Sequence, residues 1–84
     1  MRLHTAANTL APALAELHSM GFAVRHEDGA GYHYVAERQG VVLGADDVLQ
    51  LLGLAILQER RGDAACRPTD AEVEDLLRLE TPIP

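Results

Sequence analysis

The chain lacks most of the devices that stabilise a short protein chemically. Cys66 is its single cysteine, so no internal disulfide can form. No CxxC pair or Cys/His cluster has the spacing of a zinc site. Lysine is absent, and all seven basic residues are arginine, a bias expected of a GC-rich bacterial genome. The longest apolar run, Leu51 to Leu57, is far short of the ~20 residues that a membrane span needs. The start shows no basic segment followed by an apolar one, so no secretory leader is expected. With the lone cysteine, these absences favour a cytoplasmic protein.

No basic stripe is present either. The net charge is −6, and nucleic-acid affinity starts from phosphate neutralisation, which makes nucleic acid an unfavourable partner. The acidity is concentrated late. Residues 63–84 hold Asp63, Asp70, Glu72, Glu74, Asp75 and Glu80 against Arg67 and Arg78. Eighty-four residues make one domain. A chain of this size leaves roughly 40% of its unfolded surface exposed, so its core is thin unless a second copy supplements it.

What is present organises around Val41 to Gly62, a short apolar strand, a turn and a strongly hydrophobic helix. Ahead of it, Leu3, Ala6, Ala7, Leu10, Ala13, Leu14 and Leu17 form one stripe at helical spacing. Pro12 fits only near a helix start, so a firm helix is expected from Leu10 to Met20, with Thr9 as N-cap. Residues 3–8 are expected as a looser turn, and Gly21 as the left-handed terminator. His18 falls at the edge of the stripe, where partial burial is expected.

Phe22 to Arg38 reads as a hairpin across Asp28-Gly29-Ala30-Gly31. A two-residue Gly29-Ala30 turn would set His26 opposite His33 and Val24 opposite Val35. A three-residue loop, Asp28 to Ala30, would instead put Phe22, Val24, Tyr34 and Ala36 on one face and His33 on the other. Gln39-Gly40 makes a second turn, pairing Ala36 with Leu43 and Arg38 with Val41. Leu43 then joins Tyr34 and Ala36, which favours the three-residue loop.

The second helix begins near Ala45, with Asp46 and Asp47 in its first turn, Arg60 and Arg61 in its last, and Gly62 after it. Val48, Leu49, Leu51, Leu52, Ala55 and Ile56 make a broad arc toward the sheet, while Leu54 and Leu57 lie beside Gln50 and Gly53. Thr69 with Glu72 forms a capping box opening a third helix, Asp70 to Leu79, with a narrow stripe of Val73, Leu76 and Leu77. The expected fold is α+β: an N-terminal helix, a three-stranded antiparallel meander, a long apolar helix and a short acidic C-terminal helix. The domain spans 1–80, with 81–84 as a flexible tail.

The sites are weak by comparison. His26 and His33 are candidate metal ligands on adjacent strands, with Glu27 nearby, but a structural zinc site needs four ligands and a catalytic one usually three. A strand-surface role explains them better. His4 belongs to the terminus. Cys66 has no local histidine to form a thiolate, and reads as a loop residue packed under the last helix. Asp46-Asp47 and Glu74-Asp75 are helix neighbours that point in different directions, so neither is an acid/base dyad. Tyr32 and Tyr34 sit among acids, which argues for strand packing over base stacking. No cofactor is implied and no catalytic constellation is assembled.

What core packing leaves over is the outer side of the second helix: Gln50, Gly53, Leu54 and Leu57. The leading reading is a non-catalytic interaction or regulatory module acting as a homodimer through these residues. Glu72, Glu74 and Asp75 then offer a second, acidic surface to a protein partner. The alternatives are a small-ligand or metal binder using His26, His33 and Tyr34, and an acidic antagonist of a basic nucleic-acid-binding protein.

Overall fold

The computed structural model describes residues 1–3, 9–27, 29, 31, 33–62 and 67–81. Its elements run α1 (Leu10–Ser19), β1 (Ala23–His26), β2 (Tyr34–Arg38), β3 (Val41–Ala45), α2 (Val48–Arg61) and α3 (Asp70–Glu80). The strands form one antiparallel sheet in the order β1-β2-β3. This is the expected α+β architecture. The looser turn expected over residues 3–8 falls almost wholly outside the described residues, as does the tail after Thr81.

Helix α1 ends where its sequence says it must. Gly21 takes φ +89°, and its N–H donates to the His18 carbonyl while that of Phe22 donates to Leu17. These two bonds make a Schellman turn, which satisfies carbonyls the helix leaves unpaired. The apolar contact such a turn favours falls between Leu17 and Phe22, both of them buried. The chain thus enters β1 with its hydrophobic side already facing the core. His18, expected to be partly buried, is exposed, because the buried line of α1 runs through Ala13 and Leu17.

The second turn of the meander pairs Ala36 with Leu43 and Arg38 with Val41, as expected. Gln39 and Gly40 both have positive φ, 48° and 82°, the backbone of the tight turns that match strand twist. The first turn is longer than expected. Val24 pairs with Ala36 and His26 with Tyr34, and the Glu27 N–H donates to the His33 carbonyl. The connection therefore spans 28–32, five residues instead of three. Two extra residues preserve the alternation, so Val24, Tyr34, Ala36 and Leu43 still share the face that packs on the core.

Both α1 and α2 cover that face. Among the described residues the core consists of Ala13, Leu17, Phe22, Ala36, Ala45, Val48, Leu51 and Ala55. Leu17 and Leu51 are its largest fully buried side chains. The outer face carries Arg25, which pairs with Glu27 and Glu37. Val35 lies on that face yet is buried. Arg25 is its cross-strand partner, and the ion pairs hold that long side chain to the sheet.

Helix α2 starts at Val48, not near Ala45, because Asp47 is its N-cap and accepts from the Gln50 N–H. Its buried line is Val48, Leu51 and Ala55. At 100° per residue this is rotated by roughly 50° from the centre of the expected arc. Ile56, expected in the core, is therefore exposed, and Leu54, expected outside, packs against the core. The rotation brings Gln58 toward the sheet, where it meets Arg38.

Arg38 closes the end of this core. Its Nη1 donates to the Met20 carbonyl at 2.6 Å, and its Nη2 donates to Gln58 Oε1 at 3.3 Å. Glu59 is 3.5 Å away, and the guanidinium lies 4.4 Å from the centre of the Phe22 ring. One side chain thus ties the end of α1 to the last turns of α2 across the sheet. Arg38→Ala is expected to lower stability by about 2–3 kcal/mol, the order of a charged hydrogen bond plus a partly desolvated cation–π contact. Arg38→Lys should recover less than half of that, because an ammonium cannot supply the planar fork. Urea unfolding midpoints of the three proteins would check this, and equal midpoints for Arg38→Ala and the parent would refute it.

Candidate functional site: a groove along the second helix

The outer side of α2 is shaped by how the helix begins. Gln50 uses its backbone N–H on Asp47 Oδ1 at 2.7 Å, and its Oε1 accepts from the Asp46 N–H at 3.1 Å. These reciprocal bonds, a variant of the capping box, fasten the first turn of α2 to the end of β3. The next turn has Gly53, whose missing side chain leaves a hollow: a Cβ built there meets nothing within 4 Å. Leu54 and Leu57 wall the hollow, and Gly44, Ala45 and Asp46 of the β3 end bound it together with Gly31 of the hairpin connection. The result is an open groove of about 580 Å³.

All four outer residues singled out from the sequence, Gln50, Gly53, Leu54 and Leu57, line this groove. Leu54 is half-covered within the chain, whereas Leu57 remains 38% exposed. The contributions of Gly31, Gly44, Ala45 and Asp46 were not legible in the sequence, since they follow from how the strands and α2 meet. Among the lining residues only Asp46 is titratable, and it has no acidic or basic neighbour in the lining. The described lining suits apolar contact with a polar rim.

The histidines are arranged differently from the expectation. The register does not pair them, since His26 faces Tyr34. Yet His33 precedes β2, free of the strand's alternation, and its ring stacks on His26 with centroids 6.4 Å apart and planes 13° apart. Tyr34 approaches His26 edge-on at 5.0 Å. The two histidines are thus unpaired in the register, as expected, yet their rings come together from outside it. Among the described residues no group of three His, Cys, Asp or Glu side chains could hold a metal ion. His4, Tyr32 and Cys66 lie outside the described residues.

Helix α3 stands apart from the core. None of its residues is buried, and its stripe of Val73, Leu76 and Leu77 faces solvent. The capping box is formed: Thr69 accepts from the Glu72 N–H, and Glu72 accepts from the Thr69 N–H. The Arg61 guanidinium also reaches Glu72, linking the end of α2 to the start of α3. Glu74 and Asp75 lie 3.8 and 3.1 Å from Arg78. Of the three acidic residues singled out, each therefore already faces an arginine of its own chain.

No protein-family model, curated protein or solved structure matches the chain. Among the described residues no helix is long and apolar enough to cross a membrane.

The hydrogen bond from Arg61, with that from the Thr69 N–H, lowers the Glu72 pKa from 4.5 to about 2. A depressed carboxyl stabilises the fold above its unfolded pKa and loses that contribution as pH falls through the folded one. The link between α2 and α3 should therefore weaken between about pH 4.5 and pH 2. Carboxyl-detected NMR should find the Glu72 midpoint near the lower value. Arg61→Ala should move it up part of the way, the Thr69 N–H retaining the rest. An ordinary glutamate midpoint in the parent would contradict this.

Proposed function

We propose that this chain is a non-catalytic interaction module that works as a homodimer, with a second copy seated along the outer side of α2. The observation that carries the reading is the groove itself. It draws Gln50, Gly53, Leu54 and Leu57 into one concave apolar surface on a helix whose opposite side is already core.

Size and exposure support a second copy as the occupant. Among the described residues the largest fully buried side chains are Leu17 and Leu51, and a domain of this size gains much from a partner surface. Ile56 and Leu57 extend the apolar surface beyond the groove, at 43% and 38% exposure. Duplicating such a surface about a two-fold axis covers it in both chains at once, which is why closed two-fold dimers are the commonest soluble assembly. Gly53 permits close approach of the partner backbone.

Light scattering coupled to size exclusion at high micromolar concentration should give about 18 kDa, twice the 9.1 kDa chain. Leu57→Asp should return the mass to the monomer with helicity retained. Leu54→Asp is the poorer probe, because Leu54 also supports the core. Gly53→Ala separates fold from assembly. The added methyl meets nothing in the monomer, so thermal stability of the dilute protein should rise by about 1 kcal/mol of helix propensity. Dimerisation should weaken in the same variant. A parent protein that stays monomeric at these concentrations would end the proposal.

A further inference from the structure

Resting on that dimer, we infer that the segment filling each groove is helix α3 of the other copy, exchanged as an arm. Three observations on the same chain converge. The first is an arm with nothing to pack on: Val73, Leu76 and Leu77 are 41%, 53% and 56% exposed on a helix without a buried residue. The second is a receptor that the chain's own arm does not occupy, since no α3 residue lines the groove.

The third is charge. The groove side of α2 reads Gln50, Gly53, Leu54, Leu57, Arg60, Arg61 at helical spacing, so it is apolar along its length and basic at its C-terminal end. The stripe of α3 is flanked by Asp70 and Glu74, with Glu72 in the same first turns. Laid antiparallel, α3 brings Asp70 and Glu74 toward Arg60, Arg61 being held by Glu72 of its own chain, and sets its leucines over Gly53 and Leu57. The helix dipoles then oppose favourably as well. Pairing α3 with its own copy is the poorer arrangement. Five acids (Asp70, Glu72, Glu74, Asp75, Glu80) against Arg78 on each helix would repel.

Geometry also explains why the chain's own α3 is not the occupant. Arg61 holds Glu72 at the end of α2, and the stripe that follows points to solvent. An exposed arm and a groove that α3 does not line are both satisfied when two copies exchange arms, and the exchange closes on itself as a two-fold dimer.

Cross-linking tests the exchange. In full-length chains carrying Cys66→Ser, Leu57→Cys is placed in one copy and Leu76→Cys in another, one of them tagged so that the mixed product differs in mass. Both positions are exposed, so neither change disturbs the core; Leu77→Cys serves as a second arm position. Mild oxidation of the mixture should give a covalent heterodimer well above a control pairing Leu57→Cys with Arg78→Cys, on the other side of α3. A dimer by light scattering with no such enrichment would overturn the arm exchange while leaving the dimer standing. A Leu57→Cys/Leu76→Cys chain that closes a bond within itself at 9.1 kDa would overturn it in favour of the chain's own arm. A monomer with no cross-link would remove both readings.

Discussion

The structure depends on burying one face of a three-stranded sheet with very little material. Two helices lie on that face, and Leu17 from one and Leu51 from the other are its largest fully buried side chains. A core this small has no reserve, since each buried leucine contributes on the order of 2 kcal/mol. Its edges therefore have to be closed by other means. At one end the Schellman turn folds Phe22 under α1. Arg38 closes the same end, joining the Met20 carbonyl, the Phe22 ring and Gln58. At the other end the Asp46–Gln50 bonds fasten α2 to β3.

The same economy leaves surface over. Because α2 is rotated so that Leu51 and Ala55 point inward, Ile56 joins Leu57 outside, and Leu57 borders the groove at Gly53. Helix α3 is capped and well formed but gains nothing from the core. Most helical stability in proteins comes from packing an amphipathic face. An eleven-residue helix with no buried residue therefore gains little from the core, and none of its residues lines the groove on α2.

Much of the fold was legible because its signals are local. The termination of α1 at Gly21, the Gln39-Gly40 turn with its pairings, the Thr69–Glu72 capping box and the end of α2 at Gly62 each depend on a few neighbouring residues. The first hairpin was legible only in part. Alternation fixes which residues share a face, but loops of three and five residues preserve it equally, so the connection length and the stacking of His26 on His33 escaped. The start of α2 was misplaced because Asp46 and Asp47 suit a first helical turn and a cap alike. Only the bond from the Gln50 N–H to Asp47 distinguishes the two.

The sequence by itself determined the order of the elements and most of their ends, because dihedral preference, capping and hydrophobic period act over a few residues. Tertiary structure decided the rest: the rotation of α2 about its axis, the exchange of roles between Ile56 and Leu54, and the clasp made by Arg38. A helix with apolar residues around most of its circumference has no unique inward direction. The neighbours it meets choose one, here the end of α1 and the Arg38 side chain. The groove follows from that choice, since its floor comes from residues that only the fold brings beside Gly53.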